Sequence, residues 1–453
     1  MNPPGLADLV KRNPVAHGRN RVFHHRTQRI HISAWTVTGT NFAAEGGLMN
    51  HQNDIAIFTV CNIAYLPKAL VLAKSVKRLA GKKPNVVLFD RKQTFRHPAD
   101  EINVIWVEDL GIEKLQELAF LYDIIEFSTS LKPFVARMLL QRHEKVIFLD
   151  PDTCLYSSPA SILADLDQHP ILLTPHYTTP QPRTAHESDL AMMRFGSFNL
   201  GFFAVRRGTD AAAFLNWWHD RCIDFCFMES QFGLSTDQKW GTVAPCLFES
   251  LKVSFNLGYN MAPWNTFERE LSVAPDGSYV VNGRYPLVFF HFNNFDAADP
   301  QYLNKRASNE TGGQYPTLRA LTEHYAKRLK EEAALVDRVK YSFDYMSDGT
   351  YVSPTLRRAY AAVRSELPTG HDPFDSREPV GGFAHKNQLV QTQGTPYRYS
   401  VMRQVSQHGR TLKWVHLGLR GLLRVFGPNR FYDLTKLFVF LSMLRSQRDM
   451  WRL

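Results

Sequence analysis

The stretch that most constrains the fold runs from Val146 to Leu155, where an apolar run leads directly into Asp150, Pro151 and Asp152. An apolar run of this length is typical of a strand in a parallel sheet that is covered on both faces. Pro151 cannot donate to a strand ladder, so we expect the strand to end there. Ligands of such sheets bind beyond the carboxyl ends of the strands, which is where the two carboxylates would lie.

Asp150 and Asp152 are two positions apart, and side chains at that spacing in a strand point to the same side. Two carboxylates on one side offer hard oxygen ligands to Mg²⁺ or Mn²⁺. The same Asp-Pro-Asp sequence is also ordinary turn and helix-capping chemistry, because Asp accepts hydrogen bonds from nearby backbone amides. The local pattern therefore leaves a metal site and a simple turn as alternatives.

The segments before Asp150 alternate between predicted strands and helices. Apolar strands are predicted at residues 54–60, 85–90 and 103–107. An amphipathic helix follows the first strand, and a later helix is predicted to begin with Ser130 as its cap. Such alternation predicts an α/β fold with a mostly parallel sheet and right-handed crossovers. No glycine-rich dinucleotide motif follows the first strand, and the P-loop motif is absent from the sequence.

Three later segments place polar residues where a ligand of the sheet would lie. Asn199 and Gly201 interrupt an apolar strand, and a glycine there indicates close approach of the backbone to another group. Asp237 and Gln238 lie in the first turn of a predicted helix, where Asp237 can also serve only as a dipole partner. His291 ends an apolar strand, which fits either a hydrogen-bonded core histidine or a third metal ligand beside carboxylates.

The 453 residues carry a formal net charge of +10, and this charge is concentrated at the two ends. Residues 401–453 contain ten Lys or Arg and two Asp, and residues 1–48 contain six Lys or Arg and two acidic residues. The body is therefore close to neutral and shows no recognised nucleic-acid-binding module, so we expect no nucleic-acid partner. Five irregularly spaced cysteines favour a reducing compartment and a cytoplasmic protein.

The sequence predicts four segments. Residues 1–48 lack sustained periodicity and are predicted to be a disordered leader. Residues 49–305 contain the strands of the α/β domain. Residues 306–400 are predicted to form a helical accessory segment, with a linker rich in Pro and Gly at 369–395. Residues 401–453 are predicted to form a basic amphipathic helical tail.

The tail carries a basic helical stripe through Lys413, His416, Arg420 and Arg424 beside an apolar one. The apolar run at 434–444 is too short to span a bilayer. A basic amphipathic helix near a second apolar helix is typical of a peripheral anchor on the cytoplasmic face of a membrane. The alternative is that these helices pack on the α/β domain.

Taken in order, these motifs resemble those of nucleotide-sugar glycosyltransferases of the GT-A fold, most like glycosyltransferase family 8 and its bacterial relatives. The resemblance covers residues 54–296 and identifies residues 49–305 as a GT-A catalytic domain. The matching residues, in chain order, are Asn62 and Tyr65 in the loop after the first strand, Arg137 on a helix, Asp150 and Asp152, Asn199 and Gly201, Asp237 and Gln238, and His291.

The resemblance implies a role for each of these groups. Asp150, Asp152 and His291 would hold a divalent metal, Mn²⁺ or Mg²⁺. A nucleotide-sugar donor would be bound by Thr59, Asn62, Tyr65, Lys132, Arg137 and Asn199. As the catalytic residues, Gln238 would lie beneath the sugar and Asp237 beside the sugar or the acceptor hydroxyl.

The implied function is transfer of a sugar from a nucleotide donor such as a UDP-sugar to the hydroxyl of a glycan or lipid-linked acceptor, in surface glycan or polysaccharide synthesis. The anomeric configuration would be retained, or inverted if Asp237 deprotonates the acceptor. The alternatives are a catalytically weak nucleotide-sugar-binding protein and a metal-dependent nucleotide-sugar hydrolase, because hydrolases also use paired carboxylates with metals.

The sequence departs from the family pattern after His291. The family continues with Gly and then Lys-Pro-Trp, whose Lys contacts the diphosphate, whereas Asn293, Asn294 and Phe295 stand near this place here. Either a different cation would then serve the leaving group, with Lys132 and Arg137 as the candidates, or the metal would do more of that work.

Overall fold

The computed structural model describes residues 54–181, 189–304, 307–310, 315–390, 409–442 and 447–451. The predicted leader at residues 1–48 lies outside these described residues. So do the end of the predicted linker, from residue 391 onward, and the beginning of the predicted tail.

Strands and helices alternate through the first half of the described chain. The strands are β1 (Ile55–Cys61), β2 (Asn85–Leu88), β3 (Asn103–Trp106), β4 (Lys145–Leu149), β5 (Thr153–Leu155), β6 (Ile171–Pro175), β7 (Phe198–Arg206), β8 (Met228–Glu229), β9 (Leu234–Ser235), β10 (Leu251–Val253), β11 (Leu271–Val273), β12 (Tyr279–Val281), β13 (Tyr285–Pro286), β14 (Phe289–His291), β15 (Tyr302–Asn304) and β16 (Ala307–Glu310). The helices are α1 (Leu66–Ala80), α2 (Leu115–Leu121), α3 (Ile124–Leu140), α4 (Ala160–Gln168), α5 (Asp189–Phe195), α6 (Thr209–Phe225), α7 (Gln238–Gly241), α8 (Pro316–Ala333), α9 (Pro354–Val363), α10 (Pro379–Lys386), α11 (Gly409–Ser442) and α12 (Arg448–Trp451).

The central sheet has seven strands in the order β10-β6-β7-β4-β1-β2-β3. Neighbouring strands are parallel except at β7, which runs antiparallel to both β4 and β6. Phe58 and Phe148 belong to one hydrophobic cluster, whereas the adjacent Ile57 and Ile147 belong to another, because successive side chains of a strand point to opposite faces. Both faces are covered, and the predicted α/β fold, a mostly parallel sheet flanked by helices with a helical C-terminal extension, is confirmed.

Helix α3 begins earlier than predicted. Asp123 is its N-cap and accepts hydrogen bonds from two backbone amides of the first turn, while the Glu126 carboxylate accepts one from the Asp123 amide. This reciprocal capping box satisfies amide groups that a helix start would otherwise leave free. The prediction that Ser130 caps this helix is wrong, because Ser130 lies within it and its hydroxyl donates to a carbonyl of the preceding turn. Pro133 also lies inside the helix.

A short antiparallel ribbon brings a distant segment to the end of β4. In this ribbon β14 pairs with β5, and His291 lies opposite Thr153. The amide of the residue after His291 donates to the Asp152 carbonyl at 2.7 Å. On the other side, the Asp150 amide donates to the Gly201 carbonyl of β7 at 2.8 Å. The side chains of Asp150, Asp152 and His291 therefore meet at the carboxyl edge of β4.

Residues after the α/β segment pack into the same core. Phe343 and Tyr360 belong to the main hydrophobic cluster of the sheet. Arg357 is 2% exposed and donates to four backbone carbonyls, three of which lie around the end of α2. Residues 379–386, which the sequence pattern places in a linker, instead form α10, and Phe383 of this helix is buried in that cluster. The helix has only eight residues and contains Pro and Gly, so its apolar periodicity is too short to be recognised in the sequence.

Helix α11 is the long C-terminal extension. Gly427 interrupts it with a φ of 72°, and Pro428 follows, so two helical segments meet there at a kink. After it, Trp451 lies in the main hydrophobic cluster. Within the described ranges, none of the helices combines the length and the apolar character that crossing a bilayer requires.

Candidate active site

The carboxylates of Asp150 and Asp152 and the imidazole of His291 form one cluster. His291 Nε2 lies 3.0 Å from Asp152 Oδ1 and 3.8 Å from Asp150 Oδ2. One potential ligand atom from each residue lies within 4.8 Å of the other two. The structure thus brings together three side chains from two segments that are about 140 residues apart in the sequence, in an arrangement that could hold a metal ion.

The backbone of β7 approaches this cluster closely at Gly201. A Cβ on Gly201 would lie 2.7 Å from Asp150 Oδ2 and 2.8 Å from Asn199 Oδ1, and it would overlap the His291 ring. Only glycine leaves these three side chains the space that they occupy. The expectation that Gly201 marks a close approach of the backbone is confirmed.

Asn260 orients His291 from behind. Its Oδ1 lies 3.3 Å from His291 Nδ1, and its Nδ2 donates to Asn199 Oδ1 at 3.0 Å. A proton on Nδ1 that is directed at Asn260 leaves Nε2 with the lone pair that a metal ligand needs. Asn260 is fully buried and has a φ of 52°, a conformation that Asn adopts more readily than most residues. No sequence pattern singles out Asn260, because its role depends on a tertiary contact.

The charges of the cluster fit a divalent cation. Burial acts to raise the pKa of the Asp152 carboxyl, but His291 and Lys68 outweigh burial and hold that pKa well below its usual range. The carboxylate is therefore ionised at neutral pH, as a metal ligand must be. Two carboxylates and one imidazole suit Mn²⁺ or Mg²⁺ and leave coordination positions for water or phosphate oxygens.

Lys132 is buried behind the cluster and is paired with two carboxylates. Its Nζ lies 3.4 Å from Asp150 Oδ1 and 3.3 Å from Asp237 Oδ2, and it donates to the Leu200 carbonyl at 2.9 Å. Burial acts to lower the pKa of Lys132, but Asp150 and Asp237 outweigh burial and raise it. An ammonium group has three donors. Three protein oxygens surround these donors, so Lys132 fixes the two carboxylates in place.

Asp237 does not belong to the metal-ligand cluster and is connected to it through Lys132. It is 1% exposed, and burial raises the pKa of its carboxyl even though Lys132 opposes this effect. The hydroxyl of Thr236 donates to its Oδ1 at 3.1 Å. The structure therefore joins Asp237 to Asp150 through Lys132, while the backbone of α7 begins directly after it.

Gln238 is connected to the cluster by a row of amide side chains. Asn199 Nδ2 lies 3.5 Å from Gln238 Oε1, and Gln238 Nε2 donates to the Phe195 carbonyl at 3.1 Å. The same Asn199 accepts the hydrogen bond from Asn260, which in turn contacts His291. The predicted residues Asn199 and Gln238 therefore belong to the same polar network as the metal-ligand candidates.

The loop after β1 is held in place by buried polar groups. The Asn62 side chain accepts a hydrogen bond from the Tyr65 amide at 3.2 Å, and the carboxylate of Asp90, which follows β2, accepts one from the Ile63 amide at 2.7 Å. Thr59 is buried in β1, and its hydroxyl has no hydrogen-bond partner among the described residues. Tyr65 is 49% exposed. Asn62 and Thr59 are thus enclosed, while the Tyr65 ring faces outward.

Lys68 is a cation at the cluster that no sequence motif singles out. Its Nζ lies 3.7 Å from Asp152 Oδ2 and 4.5 Å from the centre of the Tyr65 ring. Its side chain is 16% exposed, whereas that of Lys132 is 6% exposed and enclosed by oxygen atoms. Lys68 therefore presents an accessible ammonium group next to Asp152. The signal that could have found it is its place in the first turn of α1, directly after the loop that contains Asn62 and Tyr65.

Arg137 is not brought to the cluster. Its guanidinium donates to Asn216 of α6 at 3.1 Å and lies over the ring of Phe134. Arg137 follows Lys132 by five residues on α3, a rotation of roughly 140° around the helix, so the two cations face different sides. Of the two cations proposed from the sequence for the leaving group, one is thus enclosed and the other faces a neighbouring helix.

Comparison with known proteins finds relatives in sequence. No family model matches this chain. The chain is 25% identical over 247 residues to the uncharacterized protein YfnF of Bacillus subtilis (strain 168), which covers 53% of this chain and 81% of that protein. It is 26% identical over 233 residues to the uncharacterized protein YfnD of the same organism, covering 49% and 70% respectively.

Several solved structures that are similar to this chain are glycosyltransferases, the class that the sequence resembles. The galactosyltransferase LgtC in complex with donor and acceptor sugar analogs is 15% identical, with a TM-score of 0.36 over 63% of this chain and 97% of that one. Mouse xyloside xylosyltransferase 1 is 14% identical, with a TM-score of 0.33 over 53% and 98%. The glycosyltransferase GlyE of Streptococcus pneumoniae TIGR4 is 13% identical, with a TM-score of 0.35 over 63% and 66%. The fold class rests on the strand order of the sheet and not on these similarities.

Proposed function

We propose that the protein is a metal-dependent glycosyltransferase that moves a sugar from a nucleoside-diphosphate donor to an acceptor hydroxyl. The observation that carries this proposal is the cluster of Asp150, Asp152 and His291 at the carboxyl edge of β4, with Lys68 beside it. Ligands of parallel α/β sheets bind at that edge. Two carboxylates, an imidazole and an accessible ammonium group complement a divalent cation bound to a diphosphate.

Lys68 is proposed to stabilise the leaving group. When the bond between the anomeric carbon and the diphosphate oxygen breaks, negative charge builds up on the departing diphosphate. A divalent cation held by Asp150, Asp152 and His291 supplies Lewis-acid stabilisation of this charge when it is bound. Lys68 adds a fixed positive charge on the same side, which takes the place of the lysine that the resembled family carries after its histidine. Lys132 acts by holding Asp150 and Asp237.

The sugar side of the site is proposed to belong to Gln238 and Asp237. A side-chain carbonyl beneath the sugar stabilises the positive charge that develops on the ring as the leaving group departs, and Gln238 is assigned this role. Asp237 is assigned to the sugar or the acceptor hydroxyl. Because Asp237 is already paired with Lys132, it is poorly placed to act as a strong base, so we propose transfer with retention.

The nucleotide end of the donor, proposed to be UDP, is assigned to Thr59, Asn62 and Tyr65, and Asn199 to the sugar-phosphate. Arg137 is not included, because it contacts α6. The proposed acceptor is a glycan or a lipid-linked glycan in surface glycan or polysaccharide synthesis. The proposed location is the cytoplasm, with peripheral contact of residues 401–453 to the inner face of the membrane.

Donor turnover over a panel of nucleotide sugars, with and without Mn²⁺ or Mg²⁺, tests the proposal directly. We expect release of the nucleoside diphosphate from one or a few donors, dependent on the metal and faster with an acceptor. Binding of a donor without turnover under all conditions would instead indicate a nucleotide-sugar-binding protein. Metal-dependent turnover that no acceptor accelerates, with free sugar as the product, would indicate a hydrolase.

A further inference from the structure

Residues 409–442 form an arm, the kinked helix α11, whose apolar side chains are exposed. Trp414 is 74% exposed and Val425 is 77% exposed. The exposed large apolar residues of the arm are Trp414, Val415, Leu417, Leu419, Leu422, Leu423, Val425, Phe426, Tyr432, Leu437, Phe438, Val439, Phe440 and Leu441. The alternative that these helices pack on the α/β domain does not hold for these side chains. Apolar surface on this scale is typical of a binding surface.

The chain on either side of the arm is attached to the body. Before the arm, Val390 packs against the main hydrophobic cluster of the sheet. After it, Trp451 is 9% exposed and is a member of the same cluster. Residues on both sides of the arm, Val390 and Trp451, therefore contact the core of the body.

The first segment of the arm, residues 409–426, separates its cations from its apolar side chains. Lys413, His416, Arg420 and Arg424 follow one another at three- or four-residue spacing and so share one stripe of the helix. Apolar residues occupy most of the remaining circumference. A helix of this pattern lies in the plane of a membrane interface, where its apolar side enters the acyl region and its long cationic side chains reach the headgroups.

The second segment, residues 428–442, adds a further apolar stripe. Leu434, Leu437, Phe438 and Leu441 lie at the spacing that places side chains on one helical face. The kink at Gly427 and Pro428 changes the direction of the helix between the two segments. Together with the cations spread along it, the kink fits two short helices lying on a surface better than one helix passing through it.

The charge of the arm favours an anionic bilayer over a second copy of the arm as its binding partner. Residues 409–442 contain six Lys or Arg and one acidic residue, Asp433. Two copies of the arm placed together would bring like charges face to face with few carboxylates to pair them. A bilayer with anionic headgroups offers both an apolar interior and negative charge at its surface.

We propose that the arm docks in the plane of an anionic lipid bilayer and holds the sheet domain against it. The apolar side chains of both segments enter the interface, and the stripe through Lys413, Arg420 and Arg424 pairs with anionic headgroups. This inference deepens the membrane contact proposed above for residues 401–453, and it does not depend on the proposed sugar transfer, since it rests on the exposure and charge of α11 alone.

Flotation of the full chain with lipid vesicles tests the inference. We expect the protein to float with vesicles containing about one third phosphatidylglycerol and not with pure phosphatidylcholine, and to be released at least partly by high salt, since surface charge attraction is screened. The triple variant Lys413→Glu, Arg420→Glu and Arg424→Glu should bind the anionic vesicles at least tenfold more weakly. Its circular dichroism should stay unchanged, because these side chains are exposed.

A matched control carries the same charge change on the body. Lys83, Lys252 and Arg338 are exposed cations outside the arm, and their substitution by Glu should leave flotation unchanged. Brominated lipids should quench tryptophan fluorescence of the native chain more than that of the Trp414→Phe variant, because Trp414 enters the acyl region.

Three results would overturn the inference. The first is a native chain that fails to float with anionic vesicles, and the second is an arm variant that binds them as well as the body control does. The third is a stable dimer, seen by light scattering, that the arm variant abolishes, which would make a second copy of this chain the occupant of the surface.

Discussion

Lys68 Nζ lies 3.7 Å from Asp152 Oδ2, on the carboxylate whose other oxygen lies 3.0 Å from His291 Nε2. One carboxylate is thus shared between an accessible cation and a metal-ligand candidate. When a divalent cation takes the negative charge of Asp152, the attraction between Asp152 and Lys68 weakens. The ammonium group then becomes available to a diphosphate that arrives with the metal.

Replacing Lys68 by Met should weaken binding of a nucleoside diphosphate about 10- to 100-fold in the presence of Mn²⁺. The reason is that a charge-assisted contact with a phosphate oxygen contributes about 1.5–3 kcal/mol. Isothermal titration calorimetry measures this affinity, and binding of the uncharged nucleoside should stay unchanged. Lys77→Met, on the same helix with a 55% exposed side chain, is the control. Equal diphosphate affinity of the Lys68→Met and Lys77→Met variants would refute the assignment, whereas a native chain that binds no nucleotide would refute the proposed function itself.

Replacing Asp152 by Asn should abolish metal-dependent turnover of the donor while the fold stays intact. The amide keeps the size of the side chain but removes the negative charge that a divalent cation needs, so we expect Mn²⁺ binding to weaken about 100-fold or more. Electron paramagnetic resonance of free Mn²⁺ measures the binding. Asp109→Asn, at an exposed carboxylate, should bind Mn²⁺ as the native chain does. Native metal affinity in the Asp152→Asn variant would exclude Asp152 as a ligand.

Replacing Asn260 by Gly should weaken metal binding about 10- to 100-fold, because His291 loses the group that orients its ring. Glycine tolerates the φ of 52° at this position, so the backbone conformation is retained. Asn282→Gly, at an exposed residue with a φ of 51°, is the matched control for the backbone change. A loss of thermal stability without a change in Mn²⁺ affinity would show that Asn260 is only structural.

Stability should fall on acidification because of His219. Burial lowers the pKa of His219 to about 4, and the charge of Arg137 acts in the same direction, whereas the ordinary value is 6.5. The unfolded chain therefore binds this proton more tightly, so the free energy of unfolding decreases as the pH falls from about 6.5 to about 4. The contribution is at most about 3 kcal/mol. Urea denaturation at pH 7.5 and pH 4 should show a smaller loss for His219→Phe than for the native chain. Parallel losses in the two proteins would contradict the assignment.

The fold class and much of the candidate site follow from local sequence patterns. Asp150, Asp152 and His291 stand out because each follows an apolar strand, and the sheet brings the ends of such strands together. The Asp123 cap was also readable, since Asp123 and Glu126 have the spacing of a capping box, but Ser130 near Pro133 gave a competing signal.

The site residues that sequence patterns do not predict are those whose role depends on how a helix or loop is oriented against the sheet. Lys68, Lys132 and Arg137 are all helical cations, and only the packing of α1 and α3 decides which of them faces Asp150 and Asp152. Asn260 lies outside any strand or helix, and its role is recognisable only from the fold, in which β14 places His291 against it. Periodicity predicts which side of a helix is apolar, but it does not say which polar side meets another element.

The packing of α9 and its neighbours on the sheet has a consequence for how such a chain can vary. The ring of Phe120 meets those of Tyr360 and Phe374 at centroid distances of 4.9 Å. A protein that ended near residue 305 would leave this aromatic junction open to solvent. Recombination that exchanged residues 49–305 alone would therefore separate two parts of one hydrophobic core. Exchange of the arm would leave that core intact.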